Sequence, residues 1–187
     1  MIINKLSDMI KSKSLIKTQI IFVSFLILFG AVLFAQQTDE RMQSVFLYNF
    51  TRLVSWPAQY QSGDFVIGVY GSSPMLQEVE DMASTRKVGN QDIIARRFNS
   101  PEDITRCHIL YVPNNQARSI DAIVSSLKAR NIPTLVVSDT RNGTRRGAVV
   151  NFTIDGGRQR FELSQSNARD MGLTLGGEIL RLAIVLD

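Results

Sequence analysis

Ser138-Asp139 and Gly71-Ser72-Ser73 are the residues whose types and spacing could hold a small molecule. Each group directly follows a short apolar run that reads as a buried strand. Open α/β sheets place ligands at the carboxyl ends of their strands. Glycine there brings the backbone close to a ligand, and the free amides of a following helix attract anions. The chemistry predicted is binding of a small anion. Reactive constellations are not found. The chain has one histidine, His108, too few for most His-based metal sites and a poor basis for a Ser-His-Asp triad. It has one cysteine, Cys107, so an internal disulfide is impossible. No Walker A, His-Glu-x-x-His, Cys-x-x-Cys or Gly-x-Ser-x-Gly pattern occurs, and the carboxylates are scattered. The expectation is a protein with no catalytic residues, no metal and no cofactor.

Arginine is the other polar signal. Arg141, Arg145 and Arg146 share one glycine-containing loop, and Arg52 stands near Tyr48 on an aromatic-rich segment. Arginine beside aromatic rings suits a protein interface, where both are enriched and lysine is not. These five residues form the candidate partner-binding set.

The elements that must position these groups follow from periodicity. Residues 39–55 show helical periodicity at three and four, with Met42, Val45, Phe46, Asn49, Phe50, Leu53 and Val54 on the predicted stripe and Thr38 or Asp39 as its cap. Trp56-Pro57 ends that helix. Residues 64–70 read as a strand and Pro74 opens a helix. Residues 92–95 form a short strand, 107–112 a second central strand, about 116–130 a helix, and 134–137 a third central strand. Residues 149–154 and 158–163 alternate on either side of Asp155-Gly156-Gly157, a hairpin turn signal. Ser164 then caps the first of two closing helices, with Asn167 and Arg169 predicted on its outer side. Strands alternating with helices predict a single α/β domain: a mostly parallel, Rossmann-like sheet covered on both faces, with an antiparallel C-terminal hairpin.

The N-terminus is a targeting signal by the same reading. Lys5, Lys11, Lys13 and Lys17 precede an apolar run from Ile20 to Ala35, interrupted only by Ser24 and Gly30. A basic start, a short apolar stretch and a small residue before a polar start mark a secretory signal. Residues 1–35 are expected to be removed and residues 36–187 to form the domain. An uncleaved anchor helix is the alternative, although a run this short is marginal against the roughly 20 residues a bilayer needs. Of 21 basic and 17 acidic residues, four lysines and Asp8 fall in that segment, which leaves 17 and 16 and a net charge of +1. A balance so close to neutral gives no ground for nucleic acid as a partner.

Several stretches, in order, resemble one family. They are Phe50 to Pro57, Phe65 to Gly71, Cys107 to Val112, Thr134 to Asp139, Val150 to Phe152, Arg160 to Leu163, Asn167-Ala168 and Leu180 to Ala183. Together they are similar to the YfiR-like family over residues 41–185. The resemblance implies a small exported protein of the periplasm that represses an inner-membrane diguanylate cyclase by binding its periplasmic sensor domain. Cyclic-di-GMP would be the output controlled, a homodimer is a second association it allows, and no catalytic residue carries over. The namesake has disulfides, which Cys107 alone cannot form here. A periplasmic binding module for a small anionic ligand is the competing expectation.

Overall fold

The computed structural model describes residues 40–186. The expectations for residues 1–35 and for a cap at Thr38 or Asp39 lie outside the described residues. Among the described residues, no helix is long and apolar enough to cross a membrane.

Residues 40–53 are helical (α1) and lead into β1 (Val54–Ser55). There follow β2 (Phe65–Tyr70), α2 (Met75–Thr85), β3 (Lys87–Val88), β4 (Gln91–Phe98), β5 (Ile109–Val112), α3 (Ile120–Ala129) and β6 (Leu135–Ser138). The chain closes with β7 (Val150–Asp155), β8 (Arg158–Leu163), α4 (Gln165–Asp170), β9 (Thr174–Leu175), α5 (Gly177–Leu182) and β10 (Ile184–Val185). The main sheet runs β10-β8-β7-β6-β5-β2-β4-β3. Its centre is parallel, from β4 through β2, β5 and β6 to β7, while β7 and β8 form the antiparallel hairpin. This is the mixed α/β, Rossmann-like arrangement the periodicity predicts.

Every residue of β2, β5 and β6 is buried. Such strands need cover on both faces, which is why they read as unbroken apolar runs. Gly68 in mid-strand answers to packing. A Cβ there would stand 2.7 Å from the Phe98 ring and 2.9 Å from the Cys107 sulfur. The Cys107 thiol is fully buried and lies 3.0 Å from the Ile109 carbonyl oxygen. Burial pushes it up to about 12, so little thiolate forms near neutral pH. Native protein should therefore react slowly with a thiol reagent and quickly once unfolded; fast native labelling would contradict the packing.

The structure corrects several boundaries. β4 is twice as long as the predicted 92–95 segment, because Arg96 and Arg97 point outward while their backbones pair with Gly68 and Val69. The helix expected from about 116 begins as 3₁₀ turns over Asn114–Ser119 and becomes α-helical at Ile120. Ile120, Ile123, Val124 and Leu127 do face the core. Ser164 caps α4 by accepting the Asn167 amide at 3.1 Å. Asn167, predicted to face outward, instead donates to the carbonyls of Thr144 and Ala148 at 2.8 and 2.9 Å.

The largest correction is the rotation of α1. Its inward stripe is Gln43, Leu47 and Phe50, at spacings of four and three, continued by the buried Val54 of β1. Phe50 meets Phe161 edge-on at 5.1 Å and stacks with Phe152 at 6.3 Å. Met42 and Val45, predicted on the apolar stripe, are instead 49% and 46% exposed.

Candidate functional site

The chain leaves β2 toward β4 on one side of the sheet, and β5 lies on the other side of β2. The crevice beyond β2 and β5 is thus the topological switch point, where ligands of open α/β sheets bind. Gly71 sits there with a positive φ of 72°, and its amide donates to the Phe98 carbonyl at 2.8 Å. Protein side chains fill the crevice. A Cβ on Gly71 would lie 2.9 Å from the Gln116 amide nitrogen, and Asn115 donates to the Ser72 carbonyl at 3.3 Å. Ser73 accepts the Met75 amide at 3.2 Å and so serves the start of α2.

Ser138 and Asp139, at the end of β6, are likewise engaged. Ser138 is fully buried and donates to Asn151 Oδ1 at 2.7 Å, an oxygen that also accepts the Thr140 amide. Asn151 in turn donates to Glu162 at 3.1 Å. A Cβ on Gly143 would collide with both Ser138 Oγ and Asn151 Oδ1, so the 141–146 loop closes over this network. Asp139 turns inward to Tyr111, whose hydroxyl lies 2.8 Å from Asp139 Oδ2. Ser73 Oγ, Ser138 Oγ and Asp139 Oδ2 thus bond within the protein, while Asp139 Oδ1 is left without a partner.

His108 is a structural group by the same criterion. Its Nδ1 accepts the Val66 amide at 3.0 Å and its Nε2 lies 2.8 Å from the Tyr60 carbonyl, so the proton sits on Nε2. Burial holds its pKa below the usual value. Among the described residues, no group of three or more His, Cys, Asp or Glu is placed to hold a metal ion.

The predicted partner residues divide between two surfaces. Tyr48 and Arg52 stand together on the outward side of α1. The Arg52 guanidinium is 5.4 Å from the Tyr48 ring centroid and donates to Asn49 at 2.9 Å. Arg86, beyond α2, lies over the same ring at 4.4 Å, and the Tyr48 hydroxyl donates to the Lys87 carbonyl at 3.3 Å. A groove of about 270 Å³ runs between α1 and α2, with Arg41, Val45, Tyr48, Met82 and Arg86 on its walls. The exposed Val45 lines this groove, and Met42, also exposed, lies three residues before it on α1. Sequence periodicity assigned both to the core; their one signal was that Gln43, Leu47 and Phe50 form an equally regular stripe one residue on.

Arg141, Arg145 and Arg146 occupy the loop between β6 and β7, with Arg141 and Arg145 exposed. Arg146 differs from them. It donates to the Ala117 carbonyl at 2.6 Å and stands 3.9 Å from Asp121, which ties the loop to the start of α3.

No curated protein matches the chain. Among solved structures, a conserved domain protein from Vibrio cholerae O1 biovar El Tor is similar at 12% identity and a TM-score of 0.48. The match covers 65% of this chain and 54% of that one, so the chain spans about half of its length. The YfiR/HmsC-like family model matches residues 40–184, nearly all of the described domain. On that match, the chain belongs to the YfiR/HmsC-like family.

Proposed function

We propose that this protein is an exported, non-catalytic regulator that binds the periplasmic domain of an inner-membrane signalling protein, a diguanylate cyclase, through the outer face of α1. Membership of the family supports a periplasmic regulator of this general kind. The observation that carries the choice of surface is that Met42 and Val45, three residues apart on α1, are each about half exposed, with Val45 sharing its groove with Tyr48, Arg41 and Arg86, and with Glu78 and Asp81 on the α2 side. An apolar centre with an aromatic ring and an arginine rim is the usual composition of an interface.

Regulation by binding needs no reactive group. A partner with an active and a silent state is shifted by any protein that prefers the silent one. About 1.4 kcal/mol of preference moves the balance tenfold, which a modest interface supplies. Arg141 and Arg145 are kept as a second contact in this proposal, while Arg146 is assigned to holding their loop. Association with a second copy is an outcome that the experiment below also reads.

A photo-crosslinking residue at Val45 tests the surface. The expected product joins the protein to an inner-membrane cyclase, and the same residue at the exposed Ala129, at the carboxyl end of α3, should give no such product. Equal yields from both positions, or a product containing only two copies of this chain, would contradict the proposal.

A further inference from the structure

The hydroxyl of Tyr111 faces a shortage of protons. Tyr111 rises from β5, is 1% exposed, and ends against α1. Its oxygen lies 3.0 Å from Gln43 Oε1 and 2.8 Å from Asp139 Oδ2. A phenol carries one proton, so it can donate to one of these two acceptors and not to both. Asp139 Oδ1, buried beside them, has no hydrogen-bond partner. One phenolic proton therefore serves two side-chain acceptors, and Oδ1 is left with no hydrogen bond of good geometry although the Asn114 and Asp139 amides lie near the carboxylate; an unmet buried acceptor is costly.

A second proton on Asp139 resolves the count. The protonated carboxyl donates to the Tyr111 oxygen, and the Tyr111 proton is then free for Gln43. We propose that Gln43, Tyr111 and Asp139 form a proton-operated latch that fastens α1 to the carboxyl end of the sheet when the Asp139 carboxyl is protonated and loosens it on ionisation. The groups around it point the same way. Burial raises Asp139 above the ordinary carboxylate range, and this outweighs the opposing pull of the Tyr111 hydroxyl and of the Asn114 and Asp139 amides. Burial raises Tyr111 still more, helped by the negative charges of Asp139 and, from α1, Glu40, so the phenol keeps its proton throughout.

The sign follows from linkage. A carboxyl with a raised folded-state pKa binds its proton more tightly in the folded protein. Its contribution is full below the ordinary carboxylate value of about 4 and is lost as pH rises through the folded value. His108 acts in the opposite direction, because its lowered pKa makes the fold less stable on acidification. Global stability mixes the two, so the readout must be local to α1 and to Asp139.

Two measurements on the whole domain serve. The carbon-13 shift of the Asp139 carboxyl, followed against pH, should give a midpoint above about 4. Hydrogen-exchange protection of the α1 amides, corrected for intrinsic rates, should fall about tenfold through that same midpoint, the effect of losing one buried hydrogen bond. Asp139→Asn, whose amide can donate to Tyr111 at any pH, should hold the protection constant. The competing arrangement has the Gln43 amide turned to donate to Tyr111 and Asp139 ionised; it predicts a midpoint at or below about 4. That midpoint, or α1 protection that does not follow the Asp139 titration, would overturn the latch. If α1 carries the partner face, affinity for the partner should weaken with rising pH in step. This last consequence alone rests on the proposed function, and its failure would leave the titration and exchange results intact.

Discussion

His108→Ala is expected to cost about 3–5 kcal/mol of folding stability, the range for truncating a large buried ring. The imidazole is fully buried and stacks on Phe65 at 4.2 Å, with Trp56 and Tyr60 edge-on to it. It also supplies one hydrogen bond from each nitrogen, so alanine leaves the Val66 amide and the Tyr60 carbonyl unpaired in the interior. Denaturant unfolding followed through Trp56, the single tryptophan, measures this directly. The pH dependence gives an independent check. With its folded pKa lowered, His108 contributes stability that is present above the unfolded value of about 6.5 and lost as pH falls below it. The variant should lose that acid-side decline. A cost under about 1 kcal/mol, or an unchanged acid limb, would place His108 outside the core and reopen it as a reactive group.

Phe161→Ala should be comparably damaging, again about 3–5 kcal/mol. Phe161 is 1% exposed and faces Phe152 across the β7–β8 ladder. Its ring also meets Phe46 and Phe50 of α1 edge-on, at 5.7 and 5.1 Å. The substitution removes the ring on which α1 rests, so hydrogen exchange in residues 40–53 should quicken more than in α3. A loss below about 1 kcal/mol would mean that α1 does not depend on this contact, and the proposed partner face would lack its support.

How far the sequence alone reached depended on whether a signal was local. β2 and β5 were legible because a strand buried on both faces is an apolar run, and such a run needs no knowledge of its neighbours. The hairpin was legible because Gly156 and Gly157 take positive φ at its turn. The two-residue strands were not. β9 is defined by pairing with β1 and β10 by pairing with β8, and neither pairing marks two residues of sequence. The rotation of α1 is not legible because the partner of the buried Gln43 is Tyr111, 68 residues away. Gln116 filling the crevice at Gly71 and Arg146 holding Ala117 are tertiary contacts of the same sort. Arginine in a loop announces a charge, and the sequence does not say whether that charge faces a partner or the chain's own carbonyls.

The central claim is that this protein controls a membrane partner through Met42 and Val45 on α1. Cyclic-di-GMP measured in cells that lack the protein, in cells that express it and in cells that express Met42→Asp with Val45→Asp tests it most directly. Both side chains are about half exposed, so the double variant should fold. We expect the level to rise without the protein, to fall again when the unaltered chain is restored, and to stay high with the folded double variant. An unchanged level on removal, or full restoration by the double variant, would contradict the account.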